Sequence, residues 1–454
     1  MDILTKMNTN KKVTKTPKGW LKENLTPSLP EVFASIKVPK TASFWKKMFA
    51  FAGPGMMVAV GYMDPGNWAT DIAGGAKFGY TLLSVILISN FFAIILQHLA
   101  LKLGIVTGRD LAQACRDAFP RPIALMLWVL AEIAIAACDL AEVLGSAIAL
   151  NLLFGLPMWL GVLLTVLDVL VILYFQNRGF RVLEAIVAGL IFIIIFCFGY
   201  EIIVSNPDFR AIVGGLLPRK EIVLNPEMLY ISIGILGATV MPHNLYLHSS
   251  IVQTRNYEKN TEGVKSAIKF ATIDSSVSLF LAFFVNAFIL ILAAATFNKH
   301  GMYEVADIND AYHLLDPLVG TTLASTLFAV ALLASGQNST LTGTLAGQII
   351  MEGFLNLKLK PWLRRLITRL IAIIPAFIVT WFYGEKGTAD LLVLSQVILS
   401  LQLSFAVIPL IMFTNSTAKM GAFANKMGLK IGVSVISVII LSLNAYLLFA
   451  TFMG

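Results

Sequence analysis

Two apolar stretches of this chain place a proline two residues before an asparagine: Asp64-Pro65-Gly66-Asn67 and Met241-Pro242-His243-Asn244. A proline inside a helix lacks an N–H and clashes with the carbonyl four residues earlier. Pro65 therefore frees the carbonyl of Gly61, and Pro242 frees that of Ala238. In hydrocarbon a bare carbonyl is costly, and unwound backbone persists only where protein covers it or where it lines a polar cavity. A bound cation is one partner for such oxygens. Each stretch also sets side-chain electron donors beside its carbonyl: the carboxylate of Asp64, the amide oxygen of Asn67 and the thioether of Met241. Oxygens alone would suit magnesium or calcium, whereas a thioether adds little for those ions and favours softer transition metals. Met241 is thus the expected filter. With one carboxylate and no tetrahedral His/Cys set, the ligands are weaker than those of a structural zinc centre, which suits a cargo that must be released.

Proline kinks are common in membrane helices, and methionine most often fills packing gaps. An aspartate at membrane depth is a different matter. Its insertion costs about 2.5–3.5 kcal/mol, so function is its default reading. The metal reading rests on both breaks, the Asp and the Met occurring together.

Such residues need helices in lipid to hold them, and the composition supplies them. Of 454 residues, 57% are hydrophobic and 13% charged, and the mean hydropathy is +0.79. Globular chains have roughly 45–50% apolar and 25% charged residues, so a large soluble protein is excluded. Apolar stretches long enough for the ~20 residues of a span recur near 48–73, 80–104, 122–153, 157–175, 181–204, 226–251, 268–297, 318–353, 362–382, 388–414 and 428–452. Eleven transmembrane helices are expected, because lipid leaves an exposed backbone no other partner. Joints such as Gly155-Leu156-Pro157 and Tyr383-Gly384-Glu385 separate neighbours. Residues 1–47 are Lys-rich, lack a cleavable signal and are expected to form a mobile cytoplasmic tail. Cys115, Cys138 and Cys197 have no Cys-x-x-Cys spacing and read as packing residues.

With the N-terminus inside, 28 of the 34 Lys and Arg residues fall on cytoplasmic segments, so the expected orientation is N-terminus cytoplasmic and C-terminus extracytoplasmic. That bias accounts for the +8 net charge without nucleic acid, and no RNA- or DNA-binding signature is present. The outer loops lack Asn-x-Ser/Thr sequons, as a bacterial plasma (inner) membrane would allow. Interrupted helices at corresponding positions of two five-span halves point to an inverted-repeat transporter with a midplane site. The halves would be 48–204 and 205–414, with 415–454 an additional helix 11.

The stretches GYMDPGNWATDIAGGAKFGY and GATVMPHNLYLHSS resemble the signatures of the Nramp family (natural resistance-associated macrophage proteins), and span count and spacing agree along nearly the whole chain after the tail. The resemblance implies an all-α membrane protein of LeuT-type fold with two inverted five-helix repeats and broken helices 1 and 6. It implies proton-coupled import of manganese, ferrous iron and related divalent ions (Co2+, Cd2+, Zn2+). Asp64, Asn67, Met241 and the Ala238 carbonyl would be metal ligands, with the Gly61 carbonyl joining in some states and Gln396 of span ten approaching the ion.

Ionisable groups at membrane depth are the candidates for the proton path: Asp64, His243, Glu132, Asp139, Glu142, Arg364 and Arg365. Asp139 and Glu142 stand at i, i+3 on one helix face. The resemblance gives Asp64 the first proton, with His243 and Glu142 nearby and Asp139, Arg364 and Arg365 leading to the cytoplasm. Those arginines also read as positive-inside anchors. His243 suits pH-dependent gating better than ligation. His248 lies about 140° further round, at ~100° per residue, and would line the exit. Span eight, with Ser335, Gln337, Asn338, Ser339 and Thr340, reads as interhelical hydrogen bonding first and pathway lining second.

The main rival is a cation-coupled amino-acid symporter of the same architecture, which would bind a carboxylate through bare N–H groups at Gly-rich breaks. A channel shares the need for a polar pathway. An enzyme is disfavoured by the absence of His-Glu-x-x-His and Gly-x-Ser-x-Gly. No cofactor is expected beyond the transported metal and the co-transported proton. The expected partners are divalent metal ions, protons and the lipid bilayer, with no nucleic acid and no obligatory protein partner.

Overall fold

Proline fixes where the helices around the breaks begin. Pro54, Pro65, Pro226 and Pro242 each occupy the first turn of a helix, where the missing N–H has no intrahelical acceptor to lose. The two motif prolines therefore do not kink a continuous helix. Each opens a second, separate one.

The computed structural model describes residues 19–21, 27, 29–30, 32–39, 43–167, 179–319, 323–356 and 361–453. A short strand β1 (Ile36–Lys37) precedes α1 (Phe44–Phe51), α2 (Pro54–Val60) and, after a 3-10 turn over Gly61–Met63, α3 (Pro65–Phe78). Then come α4 (Leu83–Thr107), α5 (Leu111–Ala118), α6 (Arg121–Phe154), α7 (Met158–Leu164) and α8 (Phe180–Ser205). The second broken pair is α9 (Pro226–Thr239) and α10 (Pro242–Ile251), followed by strand β2 (Arg255–Asn256). The longer helices that follow are α11 (Thr261–Thr296), α12 (Ile308–Val319), α13 (Ala324–Leu355), α14 (Pro361–Asn415) and α15 (Met427–Met453), and short helical turns lie at Phe209–Gly215, Glu221–Leu224 and Thr417–Met420.

Among the described residues, seven helical stretches are long and apolar enough to cross a bilayer, and Pro54–Met63, Met158–Leu167 and Leu370–Phe382 are shorter apolar ones. The expected span over 157–175 continues into residues outside those described. The joint expected at Tyr383-Gly384-Glu385 is not a break, because α14 runs unbroken from Pro361 to Asn415. None of those three residues lacks an N–H, so nothing there forces the helix to end. The polar span eight is α13, a long helix whose Ser335, Asn338, Ser339 and Thr340 are buried.

Small residues let the broken helices pack closely. A Cβ at Gly145 of α6 would fall on the ring of Pro65, and one at Gly55 would meet the backbone of Asp274 and Ser275 on α11 at 2.7 Å. The Asp274 carboxylate accepts the N–H groups of Gly53 (3.2 Å) and Gly55 (2.7 Å), satisfying donors at the start of α2.

The 36 residues of α11 span about 54 Å at ~1.5 Å per residue, so its two ends define opposite ends of the protein. At the end where α11 begins, β1 pairs in parallel with β2, Ile36 opposite Arg255 and Lys37 opposite Asn256. The tail expected to be mobile thus has described residues packed on the body. Their cause is local: Trp20 and Leu29 are apolar side chains buried at 7% and 2% exposure.

Candidate metal site

At the first break Asp64 is extended (φ −70°, ψ 165°) between the 3-10 turn and α3. Its carboxylate caps α3, accepting the Asn67 N–H at 3.0 Å. The capped oxygen is Oδ1; Oδ2 is buried with no hydrogen-bond partner. The Asn67 side chain donates Nδ2 to the Tyr62 carbonyl at 3.1 Å, which leaves Oδ1 buried and without a donor. Asn286 of α11 donates to the same carbonyl at 2.8 Å. The Met63 carbonyl accepts Trp68 Nε1 at 3.2 Å and the hydroxyl of Ser335. Side chains thus satisfy carbonyls released where α2 ends, as irregular backbone at membrane depth requires.

At the second break Val240 (φ −94°, ψ 80°) and Met241 (φ −81°, ψ 127°) leave the helical region between α9 and α10. Met241 is fully buried and packs with Ala134 and Cys138 of α6 and Leu399 of α14. The carbonyl ends of α2 and α9 both stop at the breaks, and helix C-termini carry partial negative charge that favours a cation.

Two close approaches bring the breaks together. Gly61 abuts the amide of Asn244, the second residue after Pro242, and Gly66 abuts the amide of Gln396 on α14. Gln396 and Leu399 stand at i, i+3 on one face of α14, so one helix face touches both the Asp64–Asn67 turn and Met241. Gln396 donates Nε2 to Ser395 Oγ at 3.1 Å, and its Oε1 is buried without a donor. Three buried acceptor oxygens, on Asp64, Asn67 and Gln396, therefore lack any hydrogen-bond donor. Other buried polar atoms of the described residues also lack a partner, among them Asp71 Oδ2; what sets these three apart is that they belong to the first break and to its α14 neighbour. Among the described residues no three His, Cys, Asp or Glu side chains gather into a metal cluster. What the breaks offer instead is one carboxylate, amide oxygens, carbonyls and a thioether.

The expected proton-path residues divide. Cys138 Sγ lies 3.5 Å from Glu142 Oε1, to which it donates, and 3.8 Å from His243 Nε2, so His243 and Glu142 do meet near the second break. Cys138, read from sequence as packing, is their bridge. Asp139 is buried beside it on α6. Glu132 is half-buried and accepts Trp128 Nε1 at 2.9 Å, about 15 Å from Glu142 along α6 at ~1.5 Å per residue. His248 shares a hydrogen bond with Gln97 Oε1 at 3.0 Å, and Gln97 Nε2 donates to the Tyr62 hydroxyl at 2.8 Å. His248 is thereby linked through Gln97 to Tyr62 of the 3-10 turn. The side chains of Arg364 and Arg365 lie outside the described residues.

A cavity of ≈ 410 Å³ runs from the end where α11 finishes as far as Gln396, the α14 neighbour of the first break. Its walls are Ala69, Thr70 and Ala73 of α3, Tyr230, Ile231, Ile233 and Gly234 of α9, and Leu392, Gln396 and Ser400 of α14, with Glu304, Asp307 and Asp310 at and before the start of α12. Every residue of α10 is buried on the opposite side of the second break. The cavity therefore lies on the other side of the breaks from α10, while Asp64, Asn67 and Met241 are themselves buried.

Residues 55–450 match the family model described as natural resistance-associated macrophage protein-like, Nramp. The chain belongs to the Nramp family. A divalent metal cation transporter MntH of Listeria monocytogenes is 61% identical over 440 residues, covering 97% of this chain and 98% of the relative. An MntH of Nostoc is 62% identical over 428 residues, covering 94% and 97%. The solved manganese transporter of Eremococcus coleocola superposes with a TM-score of 0.87 at 44% identity, over 92% of this chain and 90% of that one. Mhp1, a nucleobase-cation-symport-1 family transporter, matches with a TM-score of 0.58 at 16% identity over 87% and 88%, a likeness of fold alone. This Nramp chain thus has the LeuT-type fold that its resemblance to the family implied. Four of its site neighbours, Tyr62, Gln97, Cys138 and Asn286, were not foreseen. The signal available in the sequence was an amide inside an apolar helix, Gln97 in α4 and Asn286 in α11, since such residues need a partner.

Proposed function

We propose that this Nramp protein is a divalent metal cation transporter. It carries Mn2+ foremost, and also Fe2+ and the related ions Co2+, Cd2+ and Zn2+, into a bacterial cell by alternating access. The observation that carries the reading is the set of donor-less buried oxygens on Asp64, Asn67 and Gln396, joined by one face of α14 to Met241, with Gln396 also lining a cavity. Asp64, Asn67, Met241 and the Ala238 carbonyl hold the ion, with Gln396 and the Gly61 carbonyl completing its shell in some states. The thioether tilts preference toward transition metals.

Import of a dication is driven by an inside-negative potential, about 2.3 kcal/mol per charge per 100 mV. Symported protons add to it. Asp64 takes the first, and His243, Cys138, Glu142 and Asp139 form the route away from it, with Arg364 and Arg365 beyond. The halves 48–204 and 205–414 rock about the site, with the N-terminus cytoplasmic as the basic-residue bias supports. An amino-acid carboxylate is disfavoured, because Asp64 sits at the very helix N-terminus that would have to bind it.

The deciding experiment is Mn2+ uptake into proteoliposomes with the external side acidified. Saturable uptake accompanied by acidification of the lumen is expected. Uptake without lumenal acidification would remove proton symport, and no uptake at all would remove the transport reading.

A further inference from the structure

At the end opposite the cavity, the described residues between Gly19 and Val38 are fastened across several helices. Trp20 lies under two cations, the Arg109 guanidinium at 4.5 Å and the Lys419 ammonium at 4.0 Å from its ring, and against Phe413 at 5.7 Å. The Leu21 N–H donates to the Asp117 carbonyl at 2.8 Å, and Lys419 donates to the Gly19 carbonyl. Further along, the Leu29 N–H reaches Glu352 at 3.4 Å, and those of Ala34 and Val38 reach the carbonyls of Gln253 and Asn256 at 3.0 and 3.2 Å. Leu29 and Ala34 hold left-handed backbone, φ 53° and 50°, which L residues keep only when surrounding contacts impose it.

These anchors belong to both proposed halves. Arg109 and Asp117 flank and end α5 in the first half. Gln253 and Asn256 follow α10, Glu352 ends α13 and Phe413 ends α14 in the second, with Lys419 just beyond. Opening this end for release requires the halves to part here, and each anchor pair would then separate. We propose that the anchored residues Gly19–Leu21, Leu29 and Ala34–Val38 act as a strap that locks this end shut and stabilises the cavity-open state, so that its release is a step of the transport cycle. The inference rests on the alternating-access reading. It adds a device that reading does not need: a pre-existing equilibrium between two states, biased by contacts made in only one of them.

The test is labelling of single introduced cysteines in the full chain with a small maleimide. Ala73→Cys reports the cavity and Ile251→Cys, buried at the end of α10, reports the strapped end. The native cysteines are buried and set the background. Trp20→Ala removes both cation–ring contacts. It is expected to raise Ile251→Cys labelling about tenfold and to lower Ala73→Cys labelling, a shift that corresponds to about 1.4 kcal/mol. Lys419→Gln, which spares the ring, should shift both rates the same way by less. Unchanged rates in both variants overturn the strap, and so does a rise at both reporters, which would mean general loosening. Because labelling needs no cargo, its failure leaves the transport reading standing.

Discussion

Gly66 abuts the side-chain amide of Gln396 with no room for a methyl group between them. The contact joins the first helix break to α14 and aims Gln396 at the Asp64–Asn67 turn. Gly66→Ala must push the amide away, and overpacking of this kind costs about 1–3 kcal/mol. Alanine suits a helix better than glycine by roughly 0.5–1 kcal/mol, so α3 should persist and the strain should fall on the site. Calorimetry with Mn2+ is expected to show Kd weakened about tenfold. An unaltered Kd would remove Gln396 from the ligand set.

Asp64 has two duties that one substitution separates. Its Oδ1 caps α3 while Oδ2 has no donor. Asparagine caps a helix as well as aspartate does, so Asp64→Asn should leave the thermal midpoint in detergent nearly unchanged. Removing the Asp64 carboxylate should weaken Mn2+ binding about a hundredfold, the equivalent of roughly 3 kcal/mol for a contact to a charged group. Retained binding with retained fold would show that the ion sits elsewhere.

The breaks were legible because each concentrates residues that lipid penalises, a proline, an amide and, at the first, a carboxylate, inside an apolar run. The partners that finish them were not. Cys138 meets His243 and Glu142 only because α6 turns one particular face toward α10, and a helix that is apolar all round gives no periodic signal of which face that is. The strap was hidden for the opposite reason. Trp20 is an isolated aromatic among polar and Lys residues, and its burial depends on cations at Arg109 and Lys419, distant in sequence.

Met241 supplies sulfur and fills space, and the two roles can be told apart. Met→Leu conserves volume and costs less than about 1.5 kcal/mol, whereas Met→Ala leaves a cavity worth roughly 2–5 kcal/mol. Both remove the thioether. Both should therefore let Ca2+ compete with Mn2+ uptake in proteoliposomes, since an all-oxygen set suits the harder ion. Loss of selectivity in Met241→Ala alone would trace the filter to packing rather than to sulfur.

Arg255 is the buried clamp at the strapped end. It bonds Glu184 at 2.6 Å, the Ala50, Phe51 and Ala52 carbonyls at 3.2, 3.3 and 2.6 Å, and Thr254 at 2.9 Å. Arg181 reaches Glu184 and the Phe49, Ala50 and Ala52 carbonyls as well, but its side chain is 44% exposed where that of Arg255 is 0%. Water can replace the exposed guanidinium and cannot replace the buried one. Arg255→Met leaves Glu184 only the exposed Arg181 as partner and strips the Phe51 carbonyl of its guanidinium, and it should destabilise by up to about 3–5 kcal/mol. Arg181→Met should cost at most ~1 kcal/mol. Thermal unfolding of the two variants in the same detergent measures the difference, and equal losses would mean that burial at Arg255 does not set the strength of the clamp.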